Sequence, residues 1–117
     1  DVVNHIDIAK HTDIFVVAPA TADTISRLSH GAASDIVTSV ALALHPSKTK
    51  YIAPAMNTNM YANPLTMKNI DILKSIGYNV IQPKQSLLAC GDFGEGALAD
   101  IDTIVDTLDQ ATKIEEI

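Results

Sequence analysis

Three short apolar runs, separated by amphipathic segments, dominate the pattern of hydrophobic and polar positions along this chain. They span residues 13–18, 50–52 and 78–81. The first run is continuous and rich in β-branched residues, which predicts a strand buried on both faces. Pro19 follows it, and we predict that the strand ends there. Strands and helices that alternate at this spacing predict right-handed βαβ crossovers in a parallel sheet.

Apolar residues at helical spacing predict the helices between and around these strands. Asn, Asp or Pro stands near most of the predicted starts, and Gly or Pro follows most of the predicted ends. The predicted helices are residues 4–11, a segment that starts within 20–24 and ends at His30 and Gly31, a segment from Ser34 and Asp35 to Leu44, residues 64–76, and residues 100–114.

The segment 53–61, Ala-Pro-Ala-Met-Asn-Thr-Asn-Met-Tyr, follows the predicted strand at 50–52. Ligands of open α/β sheets bind beyond the carboxyl ends of strands, so this segment is a candidate binding loop. The carboxamide of Asn57 can both donate and accept hydrogen bonds, which suits recognition of a carboxylate or an amide. Asn57 could instead cap a helix or a turn.

A second candidate segment, residues 18–24, leads from the first strand into a helix. Its small side chains allow a ligand to approach the backbone, and the N–H groups of a helix N-terminus can hold a polar or anionic group together with the hydroxyls of Thr21 and Thr24. The alternative is an ordinary helix that is capped by a threonine.

His5 and Cys90 are the candidate acid–base side chains. The imidazole of His5, in the first turn of a predicted helix, could transfer protons, or it could be a surface or capping residue. Cys90 stands beside Asp92 in the segment 87–98, which we predict to be a mobile loop because it is rich in glycine. Its thiol could donate a proton or could be a small buried hydrophobe. With no second Cys and no His at ligand spacing, a metal site is not expected.

Composition narrows the function classes. A chain of 117 residues predicts a single domain, and its formal charge of −6 argues against nucleic acid or an anionic membrane surface as the main partner. No apolar run approaches the roughly 20 residues of a membrane span. A single Cys permits no internal disulfide, which favours a reducing, cytoplasmic compartment. No signal peptide is visible, although the sequence does not begin with Met.

Four motifs together resemble the homo-oligomeric flavin-containing Cys decarboxylases, and within that family the phosphopantothenoylcysteine decarboxylases. They are His-Ile-Asp-Ile-Ala at 5–9, Ala-Pro-Ala-Thr-Ala-Asp-Thr at 18–24, Pro-Ala-Met-Asn-Thr-Asn-Met-Tyr at 54–61, and Ala-Cys-Gly-Asp-Phe-Gly-Glu-Gly at 89–96. The third and fourth motifs are specific as a pair, and the resemblance extends over nearly the whole chain.

The resemblance implies an α/β fold with a doubly wound, mostly parallel sheet, a Rossmann-like flavoprotein fold that binds FMN. It also implies a role for individual residues. His5 and Cys90 correspond to catalytic residues, Asn57, Met60, Leu87 and Ala89 to substrate-binding residues, and Thr21, Ala22, Asp23, Thr24 and Ala55 to cofactor-binding residues. Cys90, Leu87 and Ala89 correspond to a flap that closes over the substrate.

The activity that the resemblance implies is FMN-dependent decarboxylation of 4′-phosphopantothenoylcysteine to 4′-phosphopantetheine in coenzyme A biosynthesis. Oxidation of the cysteine thiol carbon to a thioaldehyde by FMN places the carboxylate β to a C=S group, which makes loss of carbon dioxide feasible. Two alternatives stay open: a peptidyl-cysteine decarboxylase of lantibiotic maturation, and a non-catalytic regulatory subunit of the same fold.

The resemblance further implies a homotrimer or a dodecamer, and a possible fusion to a phosphopantothenate–cysteine ligase domain. The family's N-terminal third, which contains the first βα unit and the loop for the FMN phosphate, has no counterpart in this sequence. Residues 1–117 are therefore expected to be the C-terminal part of a flavoprotein decarboxylase domain.

Overall fold

The computed structural model describes residues 4–87 and 93–115. Helices and strands alternate along most of this length, as the hydrophobic pattern predicts. The elements are α1 (His5–His11), β1 (Ile14–Ala20), α2 (Ala22–Ser29), α3 (Ile36–Ala43), β2 (Thr49–Pro54), α4 (Thr58–Ala62), α5 (Pro64–Ser75), β3 (Tyr78–Val80), β4 (Lys84–Leu87), β5 (Phe93–Ala97) and α6 (Ile101–Glu115).

The first three strands form one parallel sheet in the order β1-β2-β3. Helices cover both faces of this sheet, because alternate residues of β2 pack in opposite directions. Ile52 is fully buried against α2 and α5, whereas the neighbouring Ala53 is fully buried in a cluster with Ala99 and with Ile104 of α6. The prediction of an α/β fold with a parallel, doubly wound sheet is thus confirmed.

β1 differs from its prediction in length. It runs through Pro19 to Ala20, and the register with β2 shifts between Val17 and Ala20. A proline is tolerated at such an irregularity because no ladder hydrogen bond is required of it; the Ala18–Pro19 peptide bond is cis. Within the described residues β1 lies at one edge of the three-stranded sheet, and Ile14 to Val17 are half-buried in this chain.

The glycine-rich segment 87–98 is not a free loop throughout. β4 and β5 pair as an antiparallel hairpin, with Leu87 opposite Phe93, so the prediction of a mobile loop is wrong for these strands. The candidate residues Ala89 and Cys90 lie outside the described residues. The segment 53–61 leads into a short helix, α4, which Asn57 precedes.

Helix ends follow the predicted signals, but several apolar helix faces are more exposed than their spacing predicts. Val40 and Leu44 are buried beneath α3, whereas Ile36, on the same predicted stripe, is exposed. On α6 the exposed fraction of Ile101 reaches 75%. In this chain the sheet and its neighbouring helices therefore bury only part of each apolar stripe.

Candidate active site

The two motif segments at the ends of β1 and β2 meet at the carboxyl edge of the sheet. The backbone N–H of Ala55 donates a hydrogen bond of 3.1 Å to the carbonyl oxygen of Ala20. Thr21 follows directly after Ala20 at the end of β1, and Ala55 follows directly after Pro54 at the end of β2. The structure therefore brings together the two stretches that the sequence assigned to a ligand, Thr21 to Thr24 and Ala55 to Asn57.

Helix α2 begins at this edge with a threonine cap. The hydroxyl oxygen of Thr21 accepts a hydrogen bond of 3.2 Å from the backbone N–H of Thr24, and its proton is donated to the hydroxyl of Thr24 at 3.1 Å. The capping interpretation of Thr21 is thus correct. Capping leaves the N–H groups of Ala22 and Asp23 in the first turn, where an α-helix provides no acceptor, so they can still bind a polar group.

Asn57 caps α4. Its side-chain oxygen Oδ1 accepts a hydrogen bond of 2.8 Å from the backbone N–H of Met60, and the side chain is exposed. The alternative interpretation of Asn57 as a cap is therefore confirmed, but it does not exclude ligand binding. Within the described ranges, the amide nitrogen Nδ2 makes no hydrogen bond and can donate to a carboxylate.

The residue after Asn57 carries an unsatisfied polar atom. The hydroxyl oxygen of Thr58 is buried and has no hydrogen-bond partner among the residues that the structure describes. Buried hydroxyls are normally paired, so a bound polar group is a natural partner for this one. With the first turn of α2 close by, the polar groups at this edge fit a flavin, whose ring and side chain carry many acceptors.

A third segment reaches the same edge. The backbone N–H of Met56 donates a hydrogen bond of 2.8 Å to the carbonyl oxygen of Gly96 in β5. This bond fastens the β4–β5 hairpin to the loop that contains Asn57. Leu87, a predicted substrate-binding residue, lies at the end of β4 in that hairpin.

His5 is the first residue of α1 and is exposed. The capping role belongs to Asn4, whose side chain accepts the N–H of Ile6 at 2.8 Å, so His5 is a surface residue and not a cap. In the described part of the chain, no hydrogen bond joins His5 to Asn57. Two residues separate α1 from β1, and α1 packs against α3, where Ala9 is buried beside Val40 and Leu44.

A cleft of about 420 Å³ lies between α2 and the α4–α5 segment. Two predicted site residues line it, Ala22 and Met60, and Met60 is exposed. The sequence did not single out Ser26 for this surface, and assigned His30 only to a helix end. Ala22, Ser26 and His30 lie four residues apart, which places them on one helix face, and this spacing is the signal that could have identified the cleft.

An ion-pair cluster fixes the start of α3 against α2. The guanidinium of Arg27 binds the carboxylates of Asp23, at 3.0 Å, and Asp35. The backbone N–H of Thr38, which donates to the carboxylate of Asp35, and the hydrogen bond from Arg27 lower the pKa of Asp35 to about 2. Asp23, a predicted cofactor-binding residue, thus has a structural partner on its own helix.

The described ranges contain neither a candidate metal site nor a candidate membrane-spanning helix. No group of three or more His, Cys, Asp or Glu side chains there is arranged to hold a metal ion. None of the helices in these ranges combines the length and the apolar character that a membrane crossing requires.

Comparisons with known proteins give consistent matches. The family model described as Flavoprotein matches residues 1–113. A probable phosphopantothenoylcysteine decarboxylase of Streptococcus mutans is 58% identical over 109 residues, which are 93% of this chain and 61% of that protein. The coenzyme A biosynthesis bifunctional protein CoaBC of Bacillus subtilis is 43% identical over 104 residues, 89% of this chain and 25% of that protein.

Solved structures agree with these matches. A PPC decarboxylase mutant complexed with pantothenoylaminoethenethiol has a TM-score of 0.91 and 34% identity, over 97% of this chain and 62% of that one. The FMN-binding protein AtHal3 has a TM-score of 0.85 and 35% identity, over 94% of this chain and 60% of that one. The chain thus spans about 61% of the length of its streptococcal relative.

Proposed function

We propose that this chain, which belongs to the Flavoprotein family, is the C-terminal part of an FMN-dependent decarboxylase that converts 4′-phosphopantothenoylcysteine to 4′-phosphopantetheine. The observation that carries the proposal is the hydrogen bond from Ala55 to Ala20, which joins two of the four motifs at one edge of the sheet. The similarity to decarboxylases over more than nine tenths of the chain supports the same activity.

The cofactor would lie at this edge. Thr21, Ala22, Asp23 and Thr24 would hold it with the first-turn N–H groups of α2, and Ala55 would lie beside its ring. When bound, FMN supplies a reversible two-electron acceptor, which a simple acyl cysteine lacks. The buried hydroxyl of Thr58 is a further candidate donor to the bound group.

Asn57 would orient the substrate. Because Oδ1 is committed to the N–H of Met60, the carboxamide cannot rotate freely, and Nδ2 presents a fixed donor to the substrate carboxylate. A neutral donor is suited to a group that must leave as carbon dioxide, since a cation would stabilise the ground-state carboxylate more strongly. Met60, Leu87 and Ala89 would contact the remainder of the substrate.

His5 and Cys90 would transfer protons during the reaction. An imidazole within hydrogen-bond reach of the substrate thiol can assist its deprotonation, which is needed before electrons leave the adjacent carbon. A protonated Cys90 would supply the proton that completes the reduced product, because a thiol is largely protonated at neutral pH.

The assembly and location of the protein are part of the proposal. We expect a homotrimer or a dodecamer in the cytoplasm, and a fusion to a phosphopantothenate–cysteine ligase domain is consistent with the similarity to the bifunctional protein of Bacillus subtilis. Size-exclusion chromatography with light scattering tests the assembly directly.

The proposed function is tested by the visible spectrum of the purified protein with added FMN, followed by carbon dioxide release from 4′-phosphopantothenoylcysteine. We expect flavin binding and release of carbon dioxide. Release only from a peptide with a C-terminal cysteine would assign the protein to peptide maturation instead. Flavin binding without decarboxylation of either substrate would indicate a non-catalytic role.

Two variants test the assigned proton transfers. We expect His5→Asn to abolish bleaching of the flavin by substrate, because the first step needs thiol deprotonation. We expect Cys90→Ser to release carbon dioxide but to stall before the final reduction, since a hydroxyl is a weaker acid than a thiol. Normal product at the wild-type rate from either variant would remove that residue from the mechanism.

A further inference from the structure

Gly96 of β5 makes the closest backbone approach to the loop that contains Asn57. Its φ is +130°, a conformation that L side chains rarely adopt. A Cβ at this position would lie 2.2 Å from the carbonyl oxygen of Met56 and 3.4 Å from the carbonyl carbon of Asn57. The first distance is far inside van der Waals contact, so no side chain fits between β5 and this loop.

A hydrogen bond also joins the two backbones at this close approach. The Met56 N–H donates to the Gly96 carbonyl oxygen at 2.8 Å, and Gly96 is buried. A short hydrogen bond between two main chains fixes both position and direction, because neither group can rotate independently of its chain. The hydrogen bond therefore fixes the backbone at Met56, the residue immediately before Asn57.

Asn57 is sensitive to any movement of this backbone. Its Oδ1 is fixed to the N–H of Met60, and its main chain leaves β2 within three residues of Pro54, the end of the strand. A displacement at Met56 must therefore shift or tilt the carboxamide. Loss of 1 Å of positional accuracy in a binding group is enough to reduce binding and turnover strongly.

We infer that Gly96 is a positioning residue, which sets the orientation of Asn57 for substrate by allowing β5 to bond directly to Met56. The inference rests on the proposed role of Asn57 in substrate binding. Gly96 itself would touch neither substrate nor cofactor. It would act through the junction, the hydrogen bond and close backbone contact between Gly96 and Met56.

Gly96→Ala is the test, and Gly77→Ala is its matched control. Gly77 also has a positive φ, +101°, but a Cβ there would meet only the end of the Lys50 side chain at 3.9 Å. Both variants introduce backbone strain, and only the first moves the Asn57 loop. We expect Gly96→Ala to weaken affinity for 4′-phosphopantothenoylcysteine at least tenfold with flavin retained, whereas Gly77→Ala lowers Tm and leaves affinity unchanged.

A double-mutant comparison separates positioning from general damage. In the Asn57→Ala background, Gly96→Ala should change substrate affinity much less than in the wild type, because the group that it positions is gone. An undiminished effect in that background would overturn the inference, and so would an equal loss of affinity in Gly77→Ala.

Hydrogen exchange gives a readout that does not depend on activity or on a folded variant. In the wild-type protein the Met56 amide should exchange slowly, because it donates a hydrogen bond to the carbonyl of the buried Gly96. Exchange at the rate of an exposed loop would show that the junction is not formed, and the inference would be wrong. If the wild type releases no carbon dioxide, the proposed function fails, while the exchange rate still decides whether the junction exists.

Discussion

Ala55 and Ala20 are joined by a backbone hydrogen bond of 3.1 Å across the carboxyl edge of β1 and β2. The bond continues the pairing of the two strands past the irregularity at Pro19, so the motif segments at the ends of β1 and β2 lie side by side. One side of the site is therefore built from main-chain geometry of the sheet. The threonine cap of α2 and the Asn57 loop are anchored to the same rigid edge.

Thr21 tests how far the cap contributes to this edge. We expect Thr21→Val, which removes the hydroxyl at nearly constant volume, to lower the free energy of unfolding by about 1 kcal/mol through loss of the cap. FMN affinity should fall as well, because the cap would no longer fix the first turn of α2 and the N–H groups that are proposed to bind the cofactor. Urea unfolding and fluorescence titration with FMN measure the two effects.

Thr21→Ser is the control for this prediction, since serine retains the capping oxygen. It should keep both the stability and the FMN affinity close to wild type. A Thr21→Val protein that binds FMN as tightly as wild type would place the flavin elsewhere.

Asn57→Asp separates capping from substrate binding at one residue. Aspartate is as good a helix cap as asparagine, so α4 and the free energy of unfolding should be preserved. The added negative charge repels the substrate carboxylate, and we expect affinity for 4′-phosphopantothenoylcysteine to fall by roughly tenfold or more. Calorimetric titration measures this loss.

A ligand without the carboxylate is the control for Asn57→Asp. Affinity for 4′-phosphopantetheine should change little, because repulsion requires two charges. Equal weakening of both ligands would mean that the substitution distorts the loop and that the charge is not the cause.

The sequence predicted the parts of this structure that depend on local chemistry. Helices α1, α3 and α5 are capped by Asn4, Asp35 and Asn63. The side-chain oxygens of these residues accept backbone N–H groups, as expected. Gly31 and Gly77 follow helix ends with positive φ, as their positions predicted. These features need only the residue and its neighbours in the chain.

Features that depend on distant neighbours could not be predicted in the same way. The order of strands β1-β2-β3 depends on which strands pair, and no local pattern encodes that choice. β5 contains two glycines, which argue against a strand, yet its pairing with β4 and the bond from Met56 to Gly96 hold it extended. α4 has five residues, too few for an apolar period to show.

Ile52 tests the core beneath the site. Its side chain is fully buried between α2 and α5, so Ile52→Ala should lower the free energy of unfolding by about 2–5 kcal/mol through lost burial and the cavity left behind. Ile101→Ala is the matched control, because Ile101 is exposed, and it should change stability by less than about 0.5 kcal/mol. Equal effects in denaturant titrations would contradict the packing of β2 described above.

Acid sensitivity should arise in part from Asp35. The Thr38 N–H and Arg27 lower its pKa from 3.8 in the unfolded chain to about 2 in the folded protein. Below pH 4 the unfolded chain therefore takes up this proton before the folded protein does. The stabilisation is complete above about pH 4 and is lost as the pH falls through about 2. Asp35→Asn, which can still cap α3, should show a shallower fall in unfolding free energy between pH 4 and 2.

The two causes of this shift can be separated. Arg27→Gln removes the ion pair but keeps the hydrogen bond from the Thr38 N–H, which is the larger cause, so part of the pH dependence should persist. Addition of 1 M salt should also reduce the pH dependence of the unfolding free energy in part, since it screens the ion pair between Arg27 and Asp35. Complete loss of the pH dependence in Arg27→Gln would show that the ion pair, and not the cap, holds the carboxylate ionised.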